Sequence, residues 1–247
     1  MCSVRPLAKK LVVQPHQEPT EDLIADALKM DRTSLLACQD AFVGRFATIR
    51  EKLDYSYHSV YSKQRQLLQD DIIGAFLAKG RASGEDPWAI FTAGPMGVGK
   101  THAMTQLQRK GLLSLDDFVY IDPDILRECL PEYSIYLQEN AEMAGIRTQK
   151  EAGYMAEILT YAALECKMNI IVDGSLRDSS WYEGHFCQLR KQYPGLCLAI
   201  FLISAPLSDI YQRVAVRALA IICAEFSLVF CLLTKFLFLL LDYHKTI

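Results

Sequence analysis

The stretch Gly94-Pro-Met-Gly-Val-Gly-Lys-Thr101 constrains this chain more than any other part of its sequence. Its pattern, G-x-x-x-x-G-K-T, is typical of a phosphate-binding loop, in which glycines allow successive backbone N–H groups to converge on one anion. An apolar run, Trp88–Ala93, precedes the loop, and a helical pattern over Lys100–Lys110 follows it. The positive end of that helix would face the same anion. The sequence therefore predicts a strand, a nucleotide-binding loop and a helix, in that order.

The residue types in the loop assign a role to each position. Lys100 would reach the β- and γ-phosphates of a nucleotide, and the Thr101 hydroxyl would ligate Mg²⁺. The remaining predicted contacts to the nucleotide come from Gly94, Pro95, Met96, Gly97, Val98 and Gly99. A chance match to this pattern in a chain of this length is expected in about one sequence in a hundred. We therefore expect ATP and Mg²⁺ as the ligands of the loop.

The composition of the chain indicates a globular protein and limits the kinds of partner that it can bind. Apolar residues make up 51% of the sequence and charged residues 22%, which is typical of a globular protein. The net charge of −3 gives no overall attraction to nucleic acid or to an anionic membrane, so anion binding must come from a local site. The 8 cysteines include no C-x-x-C pair and no zinc-binding spacing. We expect a cytoplasmic protein with no nucleic-acid partner.

Hydrophobic patterns divide the chain into three parts. Residues 1–80 contain a proline-bearing leader and helical patterns that include 34–53 and 59–79. Residues 81–218 alternate short apolar runs with helical stretches, and residues 219–247 form an apolar tail. The sequence thus predicts one α/β domain with an added N-terminal helical region.

The middle part carries the pattern of a parallel sheet. Four short apolar runs predict strands, and helical patterns lie between them, including Gln149–Met168 and Ser179–Tyr193. Strands that are apolar on both sides and alternate with helices favour a doubly wound parallel sheet covered on both faces. The predicted strands are Trp88–Ala93, Phe118–Asp122, Asn169–Asp173 and Leu198–Ser204.

Two carboxylates follow the second predicted strand. Asp122 and Asp124 lie where an open α/β sheet binds its ligands, at the carboxyl end of the strands. A carboxylate there could accept the proton of a hydroxyl group that attacks a phosphate. Helix capping explains the same residues, and for Asp122, directly before Pro123, we favour it. For Asp124 catalysis and a favourable interaction with the helix dipole both remain open.

An acid and three arginines follow the later strands. Asp173 ends the third predicted strand, where nucleotide-binding enzymes often place a residue that holds Mg²⁺; a turn residue before Gly174 is the alternative. Arg177 lies just beyond on the same edge. Arg213 and Arg217 share one helical face. Each arginine could neutralise a phosphoryl group in transfer or could be an ordinary surface residue.

The C-terminal segment Ala218–Leu241 is almost wholly apolar and carries only Glu225 and Lys235 as charges. It is long enough to span a bilayer. Each charge near its middle costs about 2.5–3.5 kcal/mol on insertion, an expense that the many Leu and Phe residues partly offset. A membrane anchor, a buried terminal helix and an artefact of a faulty gene model all remain open. Membrane attachment is expected only through this segment.

The motifs together resemble the zeta-toxin family of P-loop kinases over about residues 88–217. The resemblance rests on the glycine-rich loop, on Tyr120-Ile-Asp-Pro-Asp124 with Leu130-Pro-Glu-Tyr133, and on Ile171-Val-Asp-Gly-Ser-Leu-Arg177. The loop is shared by many enzymes, whereas the other two motifs are far more specific. The resemblance implies a P-loop kinase-like fold and a kinase that transfers phosphate from ATP. Bacterial members phosphorylate the 3′-hydroxyl of the sugar in UDP-N-acetylglucosamine.

The resemblance also implies residue roles. Asp124 matches the family's general base, and Arg217 matches an arginine that binds the γ-phosphate. With Lys100 and Arg177, they form the predicted catalytic set. The predicted substrate-binding residues are Glu157, Asp173 and Ser175, and Thr101 and Asp173 are the predicted metal ligands.

The sequence departs from the family after Arg217, because no later arginine matches the family's second catalytic arginine. A catalytically impaired ATP-binding protein and an NTP-hydrolysing switch therefore remain alternatives to an active kinase. The resemblance raises the question of an antitoxin-like partner, and no residue pattern in the chain identifies one.

Overall fold

Four parallel strands form the centre of the computed structural model, which describes residues 41–83 and 86–216. The strands are β1 (Trp88–Ala93), β2 (Phe118–Ile121), β3 (Asn169–Val172) and β4 (Cys197–Leu202), and their order in the sheet is β2-β3-β1-β4. All three neighbouring pairs run parallel. The predicted parallel α/β sheet is therefore confirmed.

Eight α-helices of the described residues surround the sheet. They are α1 (Ala47–Arg50), α2 (Lys63–Leu77), α3 (Lys100–Arg109), α4 (Pro123–Glu128), α5 (Tyr133–Glu139), α6 (Ala141–Glu165), α7 (Ser179–Gln192) and α8, which covers 207–216 at the end of the second described range.

Both faces of the sheet are covered by helices, as the apolar strands predict. On one face, Ile90 of β1 and Ile171 of β3 pack with Met104 of α3. On the other face, Phe91 of β1 belongs to the larger core that includes side chains of α2 and α6. The two inner strands, β1 and β3, therefore bury consecutive apolar residues and lack the in–out alternation of a half-exposed strand, whereas the edge strand β4 leaves Ile200 and Leu202 exposed. The sheet is doubly wound.

The N-terminal helices differ from the predicted ones. In place of one helix over 34–53, the described part of that stretch contains only the short α1. The predicted helix over 59–79 begins instead at Lys63, because the side chain of Ser62 accepts a hydrogen bond from the N–H of Arg65 and caps the helix there.

The helix predicted to start at Gln149 begins eight residues earlier. Asn140 ends α5 and accepts a hydrogen bond from the N–H of Met143 at 3.1 Å, which starts α6. Gly145 and Gly153 weaken the helical pattern, yet α6 continues through both because it buries residues on its inner face along its length. Packing against the core outweighs the helix propensity of two glycines.

A buried charge cluster joins α2 to α5 and α6. Nε of Arg65 lies 2.6 Å from Oε1 of Glu151 on α6, and its Nη2 also binds Glu132 at the start of α5. All three side chains are buried. Removing one partner of such a cluster leaves buried charge without compensation, which costs about 3–5 kcal/mol.

We predict that Arg65→Ala lowers the free energy of unfolding by about 3–5 kcal/mol, because two buried carboxylates lose their cation. Lys52→Ala serves as the control. Lys52 pairs with Glu165 at 3.7 Å with both side chains largely exposed, and such pairs contribute about 1 kcal/mol or less. Urea denaturation followed by circular dichroism would measure both. Equal effects of the two substitutions would contradict the prediction.

Within 41–83 and 86–216, no helix is both long enough and apolar enough to cross a membrane. The predicted leader and the apolar segment 218–241 lie outside the described residues, as does Arg217. The predicted domain boundaries near residues 80 and 218 stay predictions.

Candidate active site

The loop Gly94–Thr101 connects β1 to α3, as predicted. Gly94, Gly97 and Gly99 have φ angles of +139°, +83° and +102°, which side-chain-bearing residues rarely adopt. A Cβ on Gly94 would lie 2.5 Å from the carbonyl oxygen of Ile203, so the neighbouring backbone also excludes a side chain there. The loop thus has the backbone geometry that the glycine pattern predicts.

The side chain of Lys100 lies across the loop at the start of α3. Its Nζ donates a hydrogen bond to the carbonyl oxygen of Gly94 at 3.1 Å. The first backbone N–H groups of a helix have no acceptor within the helix, so the start of α3 presents donors beside this ammonium group. Thr101 follows and is exposed. The donors and the ammonium group suit a polyphosphate.

An arginine from α8 contacts the same loop. Nη1 of Arg213 donates to the carbonyl oxygen of Val98 at 3.0 Å, and its Nη2 lies 3.9 Å from Asp209. About half of the Arg213 side chain is exposed. The spacing along the chain does not indicate which of Arg213 and Arg217 is the functional residue. The structure brings Arg213 to the loop, and Arg217 lies just beyond the described range.

The carboxylate of Asp173 bridges the ends of two strands. Oδ1 accepts a hydrogen bond from Oγ1 of Thr92 on β1 at 2.6 Å, and Oδ2 accepts one from the hydroxyl of Tyr120 on β2 at 2.8 Å. Burial and the nearby Asp173 carboxylate raise the pKa of Tyr120 well above its ordinary value, so the phenol stays a hydrogen-bond donor. Asp173 is therefore held in one orientation at the carboxyl edge of the sheet.

A strained residue lies between two of the predicted site residues. Leu176 has a φ of +52°, which is uncommon for a residue with a side chain and costs about 1 kcal/mol or more. Its side chain packs against the main core, while Ser175 and Arg177 on either side line a cleft. The carbonyl oxygen of Ser175 also accepts a hydrogen bond from the N–H of Gly94 at 3.3 Å, which joins this segment to the loop.

The cleft has a volume of about 330 Å³ and opens beside the carboxyl ends of β1 and β3. It brings together three predicted site residues from one motif, Asp173, Ser175 and Arg177, and Glu157, which the family resemblance implied. The other lining residues are Tyr57, His58, Phe91, Pro123, Gly153, Ala156, Thr160, Val172, Asp178, Trp181, Tyr182 and His185.

One wall of the cleft is aromatic, and none of the sequence motifs predicts it. The ring of Trp181 stacks on His185 with 4.7 Å between ring centroids and an angle of 14° between planes. Burial lowers the pKa of His185, so the ring is neutral near pH 7. The two residues are one helical turn apart on α7, a spacing that could have indicated a shared face. Only the packing of α7 reveals that this face borders the cleft.

The two carboxylates after β2 have different surroundings. Asp122 caps α4, since its Oδ1 accepts a hydrogen bond from the N–H of Asp124 at 2.8 Å, which confirms the capping interpretation. Asp124 is exposed over 78% of its side chain and lies 2.8 Å from Nη2 of Arg127. It does not line the cleft, although its neighbour Pro123 does. Since β3 separates β2 from β1, Asp124 follows a strand about 10 Å from the one that carries the glycine-rich loop.

The described residues contain no cluster of three or more His, Cys, Asp or Glu side chains that could hold a metal ion. Magnesium is usually bound by one or two protein oxygens, with water and phosphate oxygens completing its coordination. Thr101 and Asp173 are oxygen donors of the type it prefers. These two residues therefore fit a magnesium ion that is bound together with a nucleotide, and they do not form a closed metal site alone.

We predict that Asp122→Asn stabilises the protein near neutral pH. Burial, together with the neighbouring Asp173 and Asp124, raises the pKa of Asp122 to about 6. The native state therefore binds a proton that the unfolded chain has already lost, and stability falls as the pH rises from about 4 to about 6. Asparagine caps a helix equally well and carries no charge.

The expected gain is about 1 kcal/mol near pH 7.5, after allowance for solvent screening of a partly exposed group. The gain should vanish below about pH 3, where the carboxyl group is largely protonated in both states. Thermal unfolding at a series of pH values would measure it. A variant that is less stable than the wild-type protein at pH 7.5 would contradict the prediction.

Comparison with known proteins identifies the family. The family model described as Zeta toxin matches residues 75–220, which is more than half of the chain. Toxin PezT of Streptococcus pneumoniae serotype 4 is 32% identical over 103 residues, which cover 41% of this chain and 39% of PezT. The match thus spans well under half the length of that protein.

A solved structure from work on the PezAT chromosomal toxin–antitoxin system of Streptococcus pneumoniae shares the fold, with a TM-score of 0.54 and 23% sequence identity. The alignment covers 67% of each chain. The fold is therefore similar to that of this solved structure and is P-loop kinase-like. On the strength of the family match, the chain belongs to the zeta toxin family.

Proposed function

We propose that this protein is an ATP-dependent small-molecule kinase that phosphorylates a hydroxyl group on a nucleotide sugar such as UDP-N-acetylglucosamine. Zeta toxins are kinase-like proteins, which supports phosphoryl transfer as the general reaction. One observation supports phosphoryl transfer from the loop to an acceptor bound in the cleft. The glycine-rich loop and the cleft are directly joined, because the N–H of Gly94 donates to the carbonyl oxygen of Ser175. A phosphate on the loop and an acceptor in the cleft would thus be neighbours.

The glycine-rich loop would hold the triphosphate. Its backbone N–H groups and the ammonium group of Lys100 supply donors and positive charge, and the positive φ angles of its glycines leave the backbone accessible to an anion. Thr101 and Asp173 would ligate magnesium. Bound ATP supplies the phosphoryl group, and bound Mg²⁺ reduces the negative charge that an attacking hydroxyl must approach.

Asp124, whose neighbour Pro123 lines the cleft, would accept the proton of an acceptor hydroxyl that extends beyond the cleft toward it. Its present partner is Arg127, and an ion pair this exposed is worth about 1 kcal/mol or less, so a substrate hydroxyl can replace it at low cost. Arg177 and Arg217 would neutralise charge on the transferred group. Arg213 would keep the loop in shape through its bond to Val98.

The cleft would bind the acceptor. Glu157, Asp173 and Ser175 provide polar groups for hydroxyls, and the aromatic wall around Trp181 provides an apolar surface for a ring. A pocket that is mostly apolar with a few convergent polar groups is typical of a small-molecule site. Its volume suits part of a nucleotide sugar, with the rest extending toward the surface.

Lys100→Ala and Asp124→Asn test the kinase assignment. We expect purified wild-type protein to transfer ³²P from labelled ATP to UDP-N-acetylglucosamine. Lys100→Ala should abolish transfer because the phosphates lose their cation. Asp124→Asn should slow transfer by about a hundred-fold or more and leave ATP binding intact, since general-base catalysis contributes that much. Lys110→Ala, on the exposed end of the same helix, is the matched control.

Two outcomes would contradict the proposal. Hydrolysis of ATP without an acceptor, at a rate that Asp124→Asn does not change, would favour an NTP-hydrolysing switch. Binding of ATP with no turnover would favour a catalytically impaired ATP-binding protein.

Gly97→Ala tests the loop as the ATP site. A Cβ on Gly97 would lie 2.7 Å from Cγ2 of Val214 on α8 and would distort the loop. Gly111→Ala is the control, because Gly111 also has a positive φ, +67°, but open space around it. Both substitutions incur a similar backbone cost of about 1 kcal/mol. We expect calorimetry to show an affinity for ATP about ten-fold lower or worse for Gly97→Ala and unchanged for Gly111→Ala. Equal affinities would contradict this assignment.

A further inference from the structure

The segment of residues 54–61, between α1 and α2, reaches the cleft from outside the kinase core. The zeta toxin family model begins at residue 75, so this segment precedes it. Tyr57 and His58 nevertheless line the cleft beside Glu157 and Asp173. A segment that the family model does not include thus supplies part of the wall of the candidate acceptor site.

Several contacts order the segment and hold it against α6. Oδ1 of Asp54 accepts hydrogen bonds from the N–H of Ser56 at 2.9 Å and from its hydroxyl at 2.6 Å, which fixes a turn. The hydroxyl groups of Tyr55 and Tyr154 are 2.9 Å apart, and the ring of Tyr61 also packs against Tyr154. The backbone that carries His58 is therefore positioned by contacts that do not involve Glu157.

His58 makes a short hydrogen bond to Glu157. Nε2 of the imidazole lies 2.7 Å from Oε2 of the carboxylate, and the two side chains are only 4% and 14% exposed. The carboxylate can only accept, so His58 donates. Among the described residues, no other side chain or backbone group donates a hydrogen bond to the Glu157 carboxylate. Its Oε1 is therefore available to a ligand.

The second ring nitrogen of His58 is buried without a hydrogen-bond partner in the described part of the chain, which is unfavourable for a residue that serves packing alone. Nδ1 is buried and has no hydrogen-bond partner within the described residues. A buried polar atom without a partner costs about 1–3 kcal/mol, so an apolar ring would fill this place more favourably. The Nε2 bond to Glu157 is the interaction that such a ring would lack.

We propose that His58 is a positioning residue that fixes Glu157 for an acceptor hydroxyl, so that the segment 54–61 forms part of the acceptor site. This inference rests on the proposed kinase function. A glutamate side chain that is already held by a charge-assisted hydrogen bond need not be ordered when the substrate binds. Such preorganisation lowers the cost of binding the acceptor and has no direct effect on ATP, which would bind at the glycine-rich loop.

The test compares three variants of the full chain. His58→Phe keeps a ring of similar size and removes the donor, whereas His58→Gln keeps an N–H donor at nearly the same distance from the backbone. Tyr55→Phe removes the hydroxyl bond to Tyr154 and loosens the same segment without touching Glu157. Phosphorylation of UDP-N-acetylglucosamine is measured at varied concentrations of each substrate, and thermal unfolding checks that each variant is folded.

We expect His58→Phe to raise KM for UDP-N-acetylglucosamine about ten-fold with KM for ATP unchanged, and His58→Gln and Tyr55→Phe to stay within about three-fold of the wild-type value. In a double-mutant cycle, His58→Phe should have no further effect once Glu157→Gln is present. Similar increases for His58→Phe and Tyr55→Phe would overturn the inference, because general packing of the segment would then explain both.

Binding is also measured without turnover. The chain has 2 tryptophans, so Trp88→Phe leaves Trp181, in the cleft wall, as the sole tryptophan reporter. Titration with UDP-N-acetylglucosamine should change the fluorescence of Trp181. The concentration at half-saturation should rise in His58→Phe by the same factor as KM. If the wild-type protein transfers phosphate and His58→Phe changes neither the rate nor KM, this inference alone is overturned. A wild-type protein that neither binds nor phosphorylates the sugar nucleotide would overturn the kinase proposal as well.

Discussion

The parallel pairing of β3 with both β1 and β2 is the constraint on which the candidate site depends. It brings the carboxyl ends of three strands to one edge, and Asp173 fastens that edge by accepting hydrogen bonds from Thr92 and Tyr120. The glycine-rich loop leaves the same edge after β1. Because strand spacing is fixed by backbone hydrogen bonds, the loop and the acids after β2 and β3 are held at defined separations. The sheet alone therefore places the groups that would bind phosphate close to the groups that would bind the acceptor.

The N-terminal residues are joined to this arrangement by buried polar contacts as well as by apolar packing. Arg65 binds Glu151 and Glu132, and His58 binds Glu157. Two of these partners lie on α6, the long helix that forms one wall of the cleft. Charged and hydrogen-bonded partners demand specific geometry, because a misplaced partner would leave buried charge unpaired. The N-terminal residues thus help to fix the orientation of α6 relative to the sheet edge.

The sequence predicted the fold and the local features of the site better than it predicted their assembly. The loop after β1 and the capping role of Asp122 depend on neighbouring residues, and both have the expected geometry. One sequence motif also pointed to Asp173, Ser175 and Arg177, and the family resemblance pointed to Glu157. The cleft unites all four, although their roles stay predictions. The spacing of Trp181 and His185 indicates a shared helical face, but it does not show that this face borders the cleft. The contact of His58 with Glu157 likewise arises from packing between distant segments, which leaves no pattern along the chain.

The sequence by itself determined the order of strands and helices, the backbone conformation of the loop and the membership in a family, since each depends on residue type at short range. Only the tertiary structure decided which side chains share a cleft. It brought Arg213 to the loop and His58 to Glu157 across 99 positions of sequence. It also left Asp124 exposed beside Arg127. Contacts of this kind follow from the sheet order and the packing of helices on it, and many residues throughout the chain jointly fix both.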